Sequence, residues 1–196
     1  MVNKLPEDLD DPIDSILYNR IDHDLPYFRK LCLTPNMITT LSLVFSLAGI
    51  YNFYHDKNIV GSILFFMGYY FDCADGKMAR KYKMVSQFGD LYDHISDIVK
   101  FVILIYVMLH KSNKHLNKII IVGIVIGILT GIQMSCQEKI YNESNNKNES
   151  KSLELLSVFN VSDCQKTMRF TRFFSTGTFM LYNSLIILLW NKINQL

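Results

Sequence analysis

Residues 11–25 carry apolar side chains at helical spacing: Ile13, Ile16, Leu17, Ile21 and Leu25, with Asp14, Arg20, Asp22 and Asp24 between them. Asp11-Pro12 supplies an N-cap followed by proline at the first helical position, and Asp14 sets a carboxylate near the positive end of the helix dipole. The stripe is too polar to cross a bilayer. It predicts an amphipathic helix lying at an interface, since the chain offers no second domain for a soluble helix to pack on.

Three charge-free segments follow, 37–54, 119–136 and 173–190, each close to the ~20 residues that a bilayer-spanning helix needs. Two more apolar runs, 58–71 and 101–110, are too short alone. Each completes a span only by running through a polar neighbour, 72–80 in the first case and 89–100 in the second. Those polar halves flank the short connection 81–88, so two successive helices carry carboxylates at membrane depth on the same side. The Asn/Ser/Lys-rich stretch 138–152 reads as a loop, and 153–161 as a short surface helix or the place for a sixth membrane element. The expected fold is an all-α, polytopic transmembrane helical bundle of five clear spans. It forms a single domain over residues 1–196, of which 1–34 are the cytosolic or interfacial amino-terminal segment.

Composition agrees with a membrane class. The chain has 196 residues, 49% of them hydrophobic, with 20 Lys+Arg against 18 Asp+Glu. A net charge of +2 gives no basic face for nucleic acid. Met1 to Asp11 is polar and acidic, unlike a cleavable signal peptide. Cys32, Cys73, Cys136 and Cys164 lie far apart without a C-x-x-C, which indicates neither a disulfide framework nor a zinc site.

The carboxylates form a pattern. Asp72 and Asp75 stand at i, i+3 on one predicted helix, and Asp93 and Asp97 at i, i+4 on the next, so each pair shares a face. Four carboxylates converging in a low dielectric need cations to neutralise them. Hard oxygen ligands suit Mg²⁺, Mn²⁺ or Ca²⁺ rather than zinc. Solvated aspartates at helix ends are the plain alternative, but each Asp near a helix centre costs ~2.5–3.5 kcal/mol on insertion scales.

Written out, the stretch is D-x-x-D-G-x-x-A-R-x8-G-x3-D-x3-D from Asp72 to Asp97, through Gly76, Ala79, Arg80, Gly89 and Asp93. It resembles the signature of the class-I CDP-alcohol phosphatidyltransferase family, integral membrane enzymes of phospholipid synthesis. A Pro-Asn-x-x-Thr entry to the first span (Pro35, Asn36, Thr39) and the amino-terminal helix extend the likeness. The resemblance implies two metal ions, Mg²⁺ or Mn²⁺: one on Asp72, Asp75 and Asp93, the second on Asp72, Asp93 and Asp97. It implies Asp97 as general base, and contacts to the CDP moiety from Pro35, Asn36, Thr39, Gly76, Arg80 and Ser86. A homodimer is implied as well, and in a eukaryotic cell the endoplasmic reticulum membrane.

The reaction implied is attack of an alcohol on a CDP-linked donor, with release of CMP. Chain length favours CDP-diacylglycerol with a small polyol or polyol phosphate. Asp75-Gly76-Lys77 and Asp93-His94 look more like the aminoalcohol transferases that use diacylglycerol. A cation-binding or transport protein is the non-enzymatic alternative, and Gly76, Ala79 and Arg80 argue against it, because a cation path needs no arginine beside its acids. Arg169 and Arg172 could hold an acceptor phosphate or simply flank the last span. Lys77 sits by a phosphate or snorkels to headgroups. Asp90 is an outer ligand or solvated, His94 serves packing or the acceptor site, and Trp190 is an interfacial belt residue.

Five spans put fourteen Lys and Arg on the amino-terminal side against five (Lys57, Lys111, Lys114, Lys118, Lys192) opposite, with Lys100 left inside a helix. The positive-inside rule then sets the amino terminus and the aspartates on the cytosolic face. Single-cysteine labelling should find 80–88 and 138–151 cytosolic and 111–118 opposite. The acceptor patterns at Asn142 and Asn148 are chance matches on this reading, and glycosylation at either would contradict the orientation.

Overall fold

The computed structural model describes residues 11–111, 114–145 and 163–195. Among them are seven α-helices and a 3-10 turn, and no strand. The helices are α1 Pro12–Lys30, α2 Pro35–Tyr54, α3 Asn58–Lys81, α4 Gln87–Lys111, α5 Leu116–Asn145, α6 Cys164–Thr171 and α7 Thr176–Gln195. Three stretches are long and apolar enough to cross a membrane: Pro35–Tyr54, Leu116–Gln137 and Lys166–Gln195. Helices α3 and α4, 24 and 25 residues, are each about 36 Å long, enough for a span. Their acidic ends keep them below the apolar threshold, as their sequence foretells. The protein is a helical membrane bundle.

Helix starts follow the sequence signals. Asp11 caps α1, its carboxylate accepting from the Ile13 amide at 2.7 Å with Pro12 next in line. Thr34 caps α2 in the same way before Pro35. Ser86 Oγ accepts from the Gly89 amide at 3.0 Å in the first turn of α4. Helix α1 runs on through Pro26 to Lys30 and lies against α3 and α7. It turns Ile21 and Leu25 into the core but leaves Ile16 70% exposed, so the inward stripe is narrower than the periodicity predicts.

The largest interface joins α2 to α3. It is built from small residues, which let the backbones touch. A Cβ at Gly49 would lie 2.6 Å from the Phe65 amide nitrogen and 2.8 Å from the Gly61 carbonyl oxygen. One at Gly61 would lie 2.9 Å from the Gly49 carbonyl oxygen, and Gly68 is equally closed in by Ser42 and Ser46. Helix α4 then packs on the other side of α2, and α7 on α3.

Several expectations are corrected here. Trp190 is buried, 2% exposed, with its ring edge-on to Phe53 at 5.2 Å. The stretch expected as a loop from residue 138 is helical as far as Asn145, because 138–145 contains no Gly or Pro and polarity alone does not break a helix. Helix α6 precedes the last membrane helix and packs on α5, which brings Cys164 to Cys136 as a disulfide with Cα atoms 5.1 Å apart. Their 28-residue separation hides that pairing from a reading of local cysteine spacing. The segment 153–161 and Asn148 lie outside the described residues.

The seam between α2 and α3 should be sensitive to a single methyl group. Gly49→Ala is expected to destabilise the protein by about 1–3 kcal/mol, as overpacked sites do. Gly123→Ala, whose Cβ would meet its nearest neighbour at 3.6 Å, should be neutral or mildly stabilising. Thermal unfolding of the two variants in detergent checks both.

Candidate functional site

The seam carries two hydroxyls from α2 to the acidic end of α3. Thr39 Oγ1 donates to Asp75 Oδ2 at 2.6 Å, a fully buried bond, and Ser42 Oγ donates to Asp72 Oδ1 at 3.1 Å. Asp72 and Asp75 are thereby fixed from the neighbouring helix. Across the Lys81–Gln87 connection, Asp93 and Asp97 project from one face of α4, which itself leans on α2. One carboxylate oxygen each from Asp72, Asp93 and Asp97 lie within 4.8 Å of one another. Of the two ligand sets implied by the motif, this is the second. Asp75, from the first set, is adjacent in sequence and bonded to Thr39 instead.

The donor set fits a hard divalent cation. All ligand atoms are carboxylate oxygens at a spacing that one ion could bridge. Asp93 Oδ1 is buried without a hydrogen-bond partner, so nothing among the described residues offsets its desolvation by a hydrogen bond.

A lysine lies among the acids. Lys100, three residues after Asp97 on α4, is 2% exposed. Its Nζ donates to Asp72 Oδ1 at 2.7 Å and to Ser42 Oγ at 3.1 Å, and lies 2.6 Å from Asp97 Oδ1. Sequence reasoning left this residue merely inside a helix. The available signal was a lone cation opening an apolar run at membrane depth, where an ionisable group needs a partner.

The remaining motif residues surround this centre. The Arg80 guanidinium folds back over Gly76, so that a Cβ there would lie 3.3 Å from its Nη1. Arg80 Nε is buried without a hydrogen-bond partner. A Cβ at Gly89 would meet Asn36 Oδ1 at 3.0 Å and Ser86 Oγ at 3.1 Å, so this glycine lets Asn36 and Ser86 come together at the mouth of α4. Pro35 begins α2 beside them. His94 Nδ1 donates to the Asp90 carbonyl at 2.7 Å. Arg169 is exposed on α6, which packs on α5, and Arg172 stacks its guanidinium over Phe173 at 4.7 Å.

Lys77 serves neither of its expected roles. It is buried and donates to Asp22 Oδ2 at 2.6 Å and to the Tyr18 carbonyl at 2.9 Å, fastening α1 to α3. Partial burial alone would raise the Asp22 carboxyl, and the Lys77 and Lys81 ammoniums outweigh it and hold the group below its ordinary value. Tyr69 donates to Asp14, and Tyr70 to Asp24 at 2.5 Å, which completes the strap.

Comparison with known proteins agrees with this site. A sequence model of the CDP-alcohol phosphatidyltransferase family matches residues 32–195. An archaetidylinositol phosphate synthase of Pyrococcus horikoshii is 34% identical over 68 residues, 35% of this chain and 36% of that protein. A CDP-diacylglycerol–glycerol-3-phosphate 3-phosphatidyltransferase of Rickettsia felis is 32% identical over 82 residues, 40% of this chain and 45% of that one. The alignments thus span less than half of either curated relative. No solved structure matches. With most of its length under the family model and three of the motif's four aspartates brought together by the fold, the chain belongs to the CDP-alcohol phosphatidyltransferase family.

Proposed function

We propose that the protein transfers a phosphatidyl group from a CDP-linked lipid to an alcohol hydroxyl and releases CMP. The observation that carries this is the convergence of the Asp72, Asp93 and Asp97 carboxylates at the facing ends of α3 and α4. Asp72, Asp75, Asp93 and Asp97 would hold Mg²⁺ or Mn²⁺, which would neutralise the pyrophosphate and the charge growing on the departing CMP. Asp97 takes the proton of the acceptor hydroxyl as its oxygen attacks the phosphorus distal to cytidine. The bond from that phosphorus to the CMP oxygen breaks, and CMP leaves with the electron pair. Arg80 faces the donor phosphates, Gly76 leaves room for them, and Asn36 and Ser86 border the nucleotide at the mouth of α4. Thr39 acts through Asp75, which it holds in place.

For the substrates, CDP-diacylglycerol with a small polyol or polyol phosphate is the favoured pair. It is supported by the names of the two relatives, one specifying CDP-diacylglycerol and glycerol 3-phosphate, the other a synthase of a lipid inositol phosphate. Arg169 and Arg172 are the candidate holders of an acceptor phosphate. The active site faces the cytosol on this reading, and the enzyme works as a homodimer.

Purified protein with Mg²⁺ or Mn²⁺ should release CMP from labelled CDP-diacylglycerol when offered the right member of a polyol and polyol-phosphate panel. EDTA should abolish turnover. Asp97→Asn should slow it about 10²–10⁴-fold, the usual contribution of a general base, while keeping nucleotide binding better than Asp72→Asn or Asp93→Asn. Product formed only from CDP-choline or CDP-ethanolamine with diacylglycerol would replace the substrate assignment. Full turnover by Asp93→Asn would overturn the mechanism.

A further inference from the structure

Lys100 is placed to do more than balance charge. Its ammonium is held from three helices: Asp72 on α3, Ser42 on α2 and Asp97 on its own α4. The three contacts are unequal. Asp72 and Ser42 are hydrogen-bonded to the ammonium and to each other, a closed triangle anchored in the α2–α3 seam. Asp97 Oδ1 lies 2.6 Å from the same ammonium but belongs to its own helix, outside that triangle. Asp97 is also the more exposed partner, its side chain 37% accessible against 15% for Asp72.

A charge at this depth is tolerated only when paired. In the metal-free protein Lys100 supplies one positive charge to two of the three carboxylates that a divalent cation would use. Two cations cannot share Asp97 Oδ1 at contact distance without strong repulsion in a poorly screened site.

We propose that Lys100 is the resident counter-cation of the aspartate site and exchanges with a divalent metal. Its ammonium holds Asp72 and Asp97 together when metal is absent, yields Asp97 when metal binds, and so sets the metal affinity. The proposal rests on the reading of these aspartates as a metal site. It differs from a purely structural lysine in sign: removing a structural residue weakens metal binding, whereas removing a competitor strengthens it.

Mn²⁺ titration of detergent-solubilised protein, followed by the electron paramagnetic resonance of free Mn²⁺, tests this without turnover. Lys100→Met should bind Mn²⁺ about tenfold or more tightly than the unaltered protein, a difference of about 1.4 kcal/mol. Lys100→Arg, which keeps the charge, should stay near the unaltered value. Without metal, Lys100→Met should melt at a lower temperature, and saturating Mn²⁺ should close the gap. If Lys100→Met does not fold, Lys100→Gln, which keeps a donor for Ser42, should show the same tightening. Equal or weaker Mn²⁺ binding in the neutral variant overturns the exchange. Asp93→Asn separates this from the underlying reading: Mn²⁺ binding lost there but unchanged in Lys100→Met sinks only the counter-cation. Mn²⁺ binding indifferent to Asp93→Asn, or absent throughout, removes the metal site and the proposal together.

Discussion

The aspartate site depends on how closely the backbones of α2 and α3 approach. Gly49, Gly61 and Gly68 leave no space for a side chain between the two helices, and dispersion contacts between backbones replace the hydrophobic drive that lipid cannot supply. At that separation Thr39 reaches Asp75 and Ser42 reaches Asp72. A wider seam would take from the buried Asp75 carboxylate its Thr39 donor, a heavy penalty in a low dielectric. The same α2 also packs against α4, and its Ser42 bonds to both Asp72 on α3 and Lys100 on α4. Helix α1 closes the arrangement through polar bonds to α3, with Lys77, Tyr69 and Tyr70 each reaching an aspartate of the interfacial helix.

The acids lie in the polar halves of α3 and α4, where the carboxylates of the two helices meet. Lys100 stands on the inner side of this cluster, one turn deeper on α4 than Asp97. The cluster is thus graded from a buried, internally neutralised side to a side open to exchange. Asp75 and Asp72 are fixed by hydroxyls of α2, whereas Asp93 Oδ1 is buried without a hydrogen-bond partner.

Much of this was legible in the sequence because the relevant signals are local. Asp11-Pro12 and Thr34-Pro35 mark helix starts, and apolar runs too short to span force α3 and α4 to include their acidic ends. Spacings of three and four put each aspartate pair on one face. What escaped depends on contacts distant in sequence. Trp190 has the composition of a belt residue, and only the meeting of α7 with the end of α2 shows that Phe53 buries it. Lys77 stands inside the motif like a phosphate ligand, yet its partner Asp22 lies 55 residues earlier. Cys136 and Cys164 meet because α6 packs on α5. Lys100 is the instructive case: its position three residues beyond Asp97 was visible, but not the Ser42 and Asp72 that receive it from other helices.

The central claim is that the facing ends of α3 and α4 hold divalent cations on these four aspartates. Anomalous diffraction at the manganese edge, on crystals of the protein grown with Mn²⁺, tests it most directly. The account predicts an anomalous peak bounded by Asp72, Asp93 and Asp97, with carboxylate oxygens at coordination distance. Well-ordered aspartates with no peak among them, or manganese bound only elsewhere on the protein, would contradict it.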